Sequence, residues 1–327
     1  MAKLVTIFGG SGFVGRHIAR RMAKDGWRVR VAVRKPNLAM HVKPYGVVGQ
    51  VEPVFCNIRD DISVREVLTG ADAVVNCVGV LVESGKNGFE AVQAEGAGRV
   101  ARIAAELGIS RMVQISAIGA DPESESAYAR SKAAGEAAVL AALPDAMILR
   151  PSVIFGPGDS FFNRFAGMAK FGPVLPIAAG KTKFQPVYVD DVAAAAERYL
   201  LGKAPGGIYE LGGPEVKTFA GLMQEMLGVI RKRRAVVSMP GFAAQAMAWS
   251  FDMAQKATGG LLVNHMLTRD QLKSLGRDNV VSEGARGFAD LGIEPAAMGA
   301  ILPEYLWRFR TDGQYAVLKD GAGKMKA

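Results

Sequence analysis

The stretch Leu4-Val5-Thr6-Ile7-Phe8, followed directly by Gly9-Gly10-Ser11-Gly12-Phe13-Val14-Gly15, decides the fold of this chain. The apolar run predicts a buried strand, and the pattern over Gly12–Lys24 predicts a helix. The glycines match both GxGxxG and GxxGxxG, where they allow a tight turn and bring backbone N–H groups close to a pyrophosphate at the helix N-terminus. The stretch therefore predicts a dinucleotide-binding turn. The alternative is a glycine-rich turn without a ligand.

The first half of the chain alternates short β-rich runs with longer helical patterns, as is typical of a parallel sheet covered by crossover helices. The predicted strands lie near Lys3–Phe8, Arg28–Val33, Val51–Cys56, Ala73–Cys77, Arg111–Ser116 and Ala146–Leu149. The clearest predicted helices are Gly12–Lys24, Phe89–Leu107 and Ser126–Leu143. We expect an α/β fold, a Rossmann-type doubly wound parallel sheet with a smaller, mostly helical C-terminal cap.

After Leu149 the alternation stops, and connections rich in Gly and Pro separate shorter elements. We expect residues 1–150 to form the Rossmann-type domain. Residues 151–327 should hold the last sheet elements interleaved with a cap and partner-docking region, ending in a polar tail, Lys319–Ala327.

Composition excludes several classes of protein. The 327 residues are 50% hydrophobic and 22% charged, which supports a packed core and excludes disordered chains and disulfide scaffolds. Cys56 and Cys77 lie in no metal-ligand spacing and are expected to be buried thiols in a reducing compartment. The histidines His17, His41 and His265 are scattered singly, so no metal site is expected and a Ser-His-Asp hydrolase is disfavoured.

The net charge of +9 favours anionic partners. Nine Lys or Arg and one acid, Asp25, lie in the first 40 residues, which favours a phosphate ligand at the predicted turn. No aromatic-basic stripe or zinc-finger spacing accompanies them, so nucleic acid is not expected as a partner. The apolar run Leu4–Phe8 is too short for a secretory signal, and no run of 18 apolar residues occurs. We expect a mature, cytoplasmic chain.

The end of the second predicted strand indicates which dinucleotide is bound. Proteins that bind NAD place a carboxylate there to bond the ribose 2′-hydroxyl, but this chain has Val33-Arg34-Lys35 and no acid between Asp25 and Glu52. A guanidinium can bind a 2′-phosphate, so the sequence favours NADP(H), with Arg16 as a second phosphate ligand. Alternatively, Arg34 and Lys35 are a solvated strand end.

Tyr128 and Lys132 form the candidate catalytic pair because residues four apart share one helix face. An ammonium beside the phenol is expected to lower the pKa of Tyr128, so that Tyr128 exchanges a proton with a substrate carbonyl or alcohol. Lys132 would also reach the nicotinamide ribose. Ser116, at the carboxyl end of a strand, would orient the substrate oxygen.

These motifs, together with Arg150-Pro151-Ser152 and Val189-Asp190-Asp191-Val192, resemble the extended or atypical short-chain dehydrogenase/reductase superfamily. Within it, further stretches resemble the NADPH-binding accessory subunits of respiratory complex I. They are Pro151-Ser152-Val153-Ile154-Phe155-Gly156, Arg164-Phe165-Ala166, Phe171-Gly172-Pro173, Gln185-Pro186-Val187-Tyr188-Val189 and Leu267-Thr268-Arg269-Asp270.

The resemblance implies a bacterial subunit that holds its nucleotide as a structural ligand and supports the peripheral arm of complex I at the cytoplasmic face of the inner membrane. The cofactor-binding residues expected from motif and resemblance together are Gly9, Gly10, Ser11, Gly12, Phe13, Val14, Gly15, Arg16, Arg34, Lys35, Asn57, Ile58, Cys77, Val78, Gly79, Ser116, Tyr128, Lys132, Pro151, Ser152 and Val153. The chain departs from the family in two places. Asn57 stands where relatives often carry Asp near the adenine, and only 11 residues separate Ser116 from Tyr128, which disfavours a roomy substrate pocket.

Residues 231–251 are the candidate docking segment. The basic run Arg231-Lys232-Arg233-Arg234 precedes 17 uncharged residues that include Phe242, Met247, Trp249 and Phe251, a pattern typical of interfacial segments that contact a membrane surface or a partner. The alternative is a buried cap helix beside a solvated charge run. Met223, Met226 and Leu227 are expected in the core, and Trp307 and Phe309 either anchor a partner or close the cap.

Three hypotheses remain open. The first is an NADP(H)-binding accessory or assembly subunit of complex I. The second is a free-standing NADPH-dependent oxidoreductase or epimerase that acts on a carbonyl or sugar-nucleotide-like substrate with Tyr128 as acid and base. The third is a regulator that reads the NADPH/NADP⁺ ratio.

Overall fold

The computed structural model describes residues 2–257, 268–311 and 313–315. The strands are β1 (Leu4–Phe8), β2 (Arg28–Val33), β3 (Val51–Phe55), β4 (Ala73–Asn76), β5 (Arg111–Ile115), β6 (Met147–Pro151), β7 (Ile154–Phe155), β8 (Val174–Ile177), β9 (Lys183–Phe184), β10 (Val187–Tyr188), β11 (Gly207–Leu211), β12 (Lys217–Thr218) and β13 (Ala235–Ser238). The helices are α1 (Phe13–Lys24), α2 (Asp61–Leu68), α3 (Glu95–Glu106), α4 (Ala127–Ala142), α5 (Phe162–Met168), α6 (Val189–Leu200), α7 (Phe219–Val229), α8 (Gly241–Ala257), α9 (Arg269–Leu275) and α10 (Met298–Leu306).

Seven strands form one parallel sheet in the order β11-β6-β5-β4-β1-β2-β3. β1 lies between β2 and β4, so the crossovers leave it in opposite directions and a crevice opens at the carboxyl ends of β1 and β4. This order confirms the predicted doubly wound fold. The remaining pairs are the short ladders β10-β7, β12-β9 and β13-β8, which lie outside the main sheet.

Helices cover both faces of the sheet. Ile18 and Met22 of α1 pack with Val192 and Ala196 of α6 in one apolar cluster. The opposite face is covered by α2, α3 and α4, which contribute Val64, Leu68, Val100, Ala101 and Val139 to a second cluster. Because the central strands are buried on both faces, they read as continuous apolar runs in the sequence.

A third cluster forms the cap. It contains Phe162, Phe184, Phe219 and Leu302, together with the predicted core residues Met223, Met226 and Leu227, all of which are buried. The cap therefore has a core of its own beside the sheet, built from α5, α7 and α10.

The predicted elements agree with the structure apart from details. The predicted helix Phe89–Leu107 begins as a π-helical turn, Glu90–Ala94, before α3, and α2 was not predicted. The seventh sheet strand, β11, comes from the second half of the chain. The predictions for His265, for Leu267 and for the tail Lys319–Ala327 concern residues outside the described ranges.

Candidate functional site

The turn between β1 and α1 is shaped by two glycines. Gly9 has a φ of +71°, which favours glycine, and its amide donates to the Ala32 carbonyl across the sheet at 3.0 Å. A Cβ at Gly15 would lie 2.4 Å from the Gly9 carbonyl oxygen and 2.7 Å from the Gly10 Cα. Since the clash would be with backbone, α1 can lie this close to the turn only without a side chain at Gly15. The backbone of Gly9–Gly15 thus forms a close turn at the start of α1, which we call the cradle.

The N-terminus of α1 suits an anion. Gly12 is the N-cap, no side chain caps the helix, and its first turn contains no acid. The Arg16 guanidinium lies 5.5 Å from the Phe13 ring centroid and donates to the Pro157 carbonyl. The cradle therefore presents helical N–H groups beside a cation, the arrangement that binds phosphate groups. The cradle fits a pyrophosphate.

Cations follow the neighbouring strands. Arg34, after β2, is exposed and donates to the Asn87 side-chain oxygen at 3.3 Å, and Lys35 is also exposed. Arg59, which follows β3, donates to the Lys86 carbonyl at 2.8 Å. Both guanidinium groups thus contact the loop that precedes the π-helical turn Glu90–Ala94. Because both acceptors are neutral oxygens, these hydrogen bonds do not compensate the charge of either guanidinium group.

Asn57 and Ile58 have local packing partners. Asn57 Oδ1 accepts from the Arg59 amide at 3.2 Å, and the Asn57 amide donates to Ser63 Oγ at 3.0 Å. Ile58 is buried beside Gly96 at the start of α3. The structure therefore places both residues in the turn between β3 and α2, and their contact with the cofactor stays a prediction.

The residues after β4 line the crevice. The Cys77 amide continues the sheet by donating to the Phe8 carbonyl at 2.9 Å, and Val78 lies against Gly9. A Cβ at Gly79 would lie 3.4 Å from Lys132 Nζ. The cradle and the candidate catalytic lysine are therefore joined by the single segment Cys77–Gly79, as a ligand that spans both would require.

Lys132 and Tyr128 lie together, with pKa values that burial determines. Lys132 Nζ donates to the Ile115 carbonyl at 3.2 Å and lies 5.9 Å from the Tyr128 ring centroid. Burial lowers the pKa of Lys132 to about 8, although Glu136 and Cys77 act in the opposite direction. Burial also raises the pKa of Tyr128 to about 12. The expected lowering of the Tyr128 pKa is therefore wrong for this structure, because the loss of hydration outweighs the nearby ammonium.

Ser116 is bound within the protein. Its hydroxyl donates to the buried carboxylate of Glu136, which also accepts from the Arg150 guanidinium at 2.6 and 3.0 Å. The hydrogen bonds that Arg150 donates to Glu136 raise the pKa of Arg150. In this structure the Ser116 hydroxyl thus donates to a buried ion pair, and its role in orienting a substrate oxygen stays a prediction. The sequence reasoning missed Glu136, although its position four residues after Lys132 puts both on one helix face.

Ser152 is also held internally. Its hydroxyl donates to Asn279, whose side-chain and backbone oxygens lie at 2.7 and 2.8 Å, and it accepts from the Gln185 amide at 3.2 Å. Its neighbours Pro151 and Val153 accept backbone bonds from Ile118 and Val187. The segment 151–153 therefore joins the sheet to the cap beside the crevice.

Gln93 is a second residue that the sequence reasoning missed. It is only 2% exposed, lies in the π turn, and donates from Nε2 to Ser131 Oγ at 3.2 Å. Its Oε1 has no hydrogen-bond partner within the described part of the chain, and a Cβ at Gly79 would lie 3.4 Å from it. An unpaired buried acceptor beside Lys132 fits a ligand that donates a hydroxyl group. The π-helical turn is the one feature that singles out Gln93, because such turns are frequent at functional sites.

The family model for the NAD dependent epimerase/dehydratase family matches residues 5–212, which contain the cradle, Lys132 and all seven strands of the main sheet except the first residue of β1. The chain belongs to this family. The predicted resemblance to extended short-chain dehydrogenases/reductases is thereby confirmed. A dTDP-glucose 4,6-dehydratase of Bacillus anthracis, solved in complex with NAD, has the same fold, with a TM-score of 0.68, 16% identity, and coverage of 97% of this chain and 100% of that chain. The family and this neighbour are thus associated with a nicotinamide dinucleotide.

Two relatives of this epimerase/dehydratase chain differ in role. The mitochondrial NADH dehydrogenase (ubiquinone) 1 alpha subcomplex subunit 9 of Arabidopsis thaliana is 38% identical over 316 residues, which are 95% of this chain and 79% of the relative. A ceramide reductase of Caulobacter vibrioides is 37% identical over 191 residues, which are 58% of this chain and 59% of that protein. The similarity to the complex I subunit thus extends through the cap, and the resemblance stated from the sequence is confirmed.

Proposed function

We propose that this protein is an accessory subunit of respiratory complex I that binds NADP(H) mainly as a structural ligand. The observation that carries the proposal is the 38% identity to a named complex I subunit over 95% of the chain, well beyond the matched family region. In this proposal the protein lies at the cytoplasmic face of a bacterial inner membrane and contacts peripheral-arm subunits.

The state of the candidate catalytic set supports a structural role for the nucleotide. The Ser116 hydroxyl is bound to Glu136, and the raised pKa of Tyr128 makes the phenolate that proton donation would leave harder to form. The family's nicotinamide nucleotide would supply hydride chemistry when bound. In this chain the cradle would bind the pyrophosphate, while Lys132 and the unpaired Gln93 Oε1 would hold ribose hydroxyl groups.

Uncompensated cations support NADP(H) over NAD(H). Arg34 and Arg59 donate their hydrogen bonds to the neutral oxygens of Asn87 and Lys86, and no acid lies between Asp25 and Glu52 to bond a ribose 2′-hydroxyl. A 2′-phosphate would accept charge-assisted hydrogen bonds from these guanidinium groups.

Nucleotide titrations test this preference. Replacement of Arg34 by Glu should weaken NADPH binding roughly tenfold to a hundredfold, since a charge-assisted bond contributes about 1.5–3 kcal/mol, and should leave NADH binding nearly unchanged. Lys24→Glu, an equal charge change on the far end of α1, is the matched control. An unchanged preference for NADPH in Arg34→Glu would contradict the assignment.

Mild-detergent purification of the tagged protein from membranes tests the accessory role. We expect complex I subunits to co-migrate with it. Recovery as a lone soluble oligomer would contradict the proposal.

The ceramide reductase relative supports a second candidate, an NADPH-dependent reductase of a carbonyl in a ceramide-class lipid. The protonated Tyr128 would donate its proton to the substrate oxygen, and Lys132 would stabilise the phenolate that remains. Tyr128→Phe separates the candidates. It should abolish carbonyl-dependent NADPH oxidation if the protein is a reductase, whereas co-migration with complex I subunits should survive if it is a structural subunit.

A further inference from the structure

Two segments in the second half of the chain are long and contain no acid. Residues 160–189 and 226–251 include no Asp or Glu, although the whole chain carries 31 of them. Together these segments contain eight cationic residues: Arg164, Lys170, Lys181, Lys183, Arg231, Lys232, Arg233 and Arg234. The carboxylates that flank the second segment are already ion-paired, Glu225 with Lys217 and Asp252 with Arg269. These segments therefore carry a strong positive charge.

The fold brings the two segments together. β13 pairs in parallel with β8, so that Ala235 lies opposite Val174 and Ser238 opposite Ile177. The Arg234 guanidinium crosses the junction and donates to the Ala169 carbonyl at 3.1 Å. The acid-free segments, which residues 190–225 separate in sequence, thus meet at β8 and β13, and we call their combined surface the basic-apolar face.

Cations from the C-terminal part of the cap add to this face. Arg308 donates to the Asn163 side-chain oxygen at 2.5 Å, and Arg310 to the Val229 carbonyl at 2.8 Å. Lys170 lies 5.1 Å from the Phe309 ring centroid. As with Arg234, these contacts are to neutral groups, so they position the cations without cancelling their charge.

Large apolar side chains of the same two segments are exposed, and those of α8 line an open cavity beside α9. Phe171, in the turn before β8, is 79% exposed, and Phe242 and Trp249 of α8 are 77% and 55% exposed. α8 buries its small residues Ala244 and Ala248 instead. A helix in water normally buries its large apolar residues. The orientation of α8 therefore indicates a surface that a membrane or a partner covers. The alternative of a buried cap helix is therefore wrong for these aromatic side chains.

We propose that the basic-apolar face docks on an anionic lipid bilayer, with Phe171, Phe242 and Trp249 entering the interface and the cations facing lipid head groups. The proposal deepens the accessory-subunit function and rests on it for the identity of the membrane. Charge of one sign spread over two segments suits a bilayer surface, and exposed aromatic residues beside it are typical of interfacial anchors. No helix within the described ranges is both long and apolar enough to cross a membrane.

Vesicle co-sedimentation of the purified full chain tests this docking. We expect binding to phosphatidylcholine vesicles that contain phosphatidylglycerol, and little binding to vesicles of phosphatidylcholine alone or at high salt. Lys232→Glu with Arg233→Glu should weaken binding by at least about tenfold. Lys24→Glu with Lys203→Glu is the matched control, because it makes the same charge change at exposed positions near the amino ends of the strands.

A second readout addresses insertion. Tryptophan emission should shift to the blue on vesicle addition. In a Trp307→Phe background, which leaves Trp249 and the buried Trp27, most of the shift should disappear on adding Trp249→Phe. Phe171→Ser with Phe242→Ser should weaken vesicle binding without lowering the melting temperature.

Three results would overturn the proposal. The first is the absence of binding to anionic vesicles, and the second is an equal loss of binding in the matched control. The third is a charge-reversal variant that still binds vesicles but no longer co-migrates with complex I subunits. The last result would assign the face to a protein partner. Failure of the accessory function has a different signature, namely vesicle binding without co-migrating subunits.

Discussion

Gly15 shows how one position controls the candidate site. Its α-hydrogen is directed at the backbone of Gly9 and Gly10, so the separation between α1 and the turn depends on the missing side chain. The cradle thus needs glycine for two reasons, the positive φ of Gly9 and the close packing at Gly15. Gly15 is required by packing alone, because its backbone has ordinary helical geometry.

Gly15→Ala should therefore reduce both stability and nucleotide binding. The added methyl would overlap backbone atoms that have no free direction in which to move, and overpacking of this kind costs about 1–3 kcal/mol. Urea unfolding and NADPH titration measure the two effects. Gly228→Ala in α7 is the matched control, because a Cβ there meets no atom within 4 Å and the helix should tolerate or favour it. Full NADPH binding by Gly15→Ala would contradict the close-approach argument.

Lys132 gives the site a pH dependence. Burial lowers its pKa from 10.5 to about 8, so between these values the unfolded chain binds the proton that the folded chain has released. The free energy of unfolding of the nucleotide-free protein should therefore rise with pH through this window, by a few kcal/mol at most.

Urea unfolding of wild type and Lys132→Met from pH 7 to 11 isolates this contribution. The variant should lack the rise above pH 8, whereas Lys24→Met at an exposed position should retain it. Parallel curves for wild type and Lys132→Met would show that Lys132 is hydrated and ionised in the folded protein.

At the scale of elements, α9 holds the start of α4. Asp270 accepts hydrogen bonds from Ser126 Oγ at 2.8 Å and from the amides of Ala127 and Tyr128 at 2.7 and 3.2 Å. A carboxylate at a helix N-terminus compensates the unpaired amides and the helix dipole. The segment Thr268-Arg269-Asp270 from the sequence resemblance therefore has a defined role, which is to attach the cap to the helix that carries Tyr128 and Lys132.

Asp270→Asn should loosen the first turn of α4 and destabilise the protein by about 1–2 kcal/mol. Hydrogen exchange should accelerate at the amides of Ala127 and Tyr128. Asp290→Asn, which removes a charge that caps the Gly287 amide elsewhere, is the control and should leave α4 protected. Unchanged exchange in Asp270→Asn would mean that the neutral amide caps the helix equally well.

The basic-apolar face also belongs to the scale of elements, since it exists only where β8 and β13 pair. The run Arg231–Arg234 alone resembles a solvated charge run, but the pairing of β13 with β8 brings it close to the cations and the exposed Phe171 of the other segment. The orientation of α8, with alanines inward, is a property of the cap and could not be inferred from the mixed apolar composition of the helix.

For the whole molecule, the crevice links the sheet to the cap, so a bound nucleotide should stabilise both. At 100 times its dissociation constant, NADPH should add about 2.7 kcal/mol to the free energy of unfolding and raise the melting temperature by several degrees. Thermal melts with NADPH, with NADH and without nucleotide measure this effect. Arg34→Glu should show a smaller NADPH shift than wild type, and a melt insensitive to NADPH would contradict a structural role for the nucleotide.

The sequence by itself determined the dinucleotide cradle, the six strands of the first half and the candidate pair Tyr128 and Lys132, because each depends on neighbours within one element or turn. Only the tertiary structure decided what burial and distant partners control: the direction of the Tyr128 pKa, the Ser116–Glu136–Arg150 contact, the unpaired Gln93 acceptor, and the capping of α4 by Asp270. Hydration is lost only when segments far apart in the chain meet, and no local pattern records which segments those are.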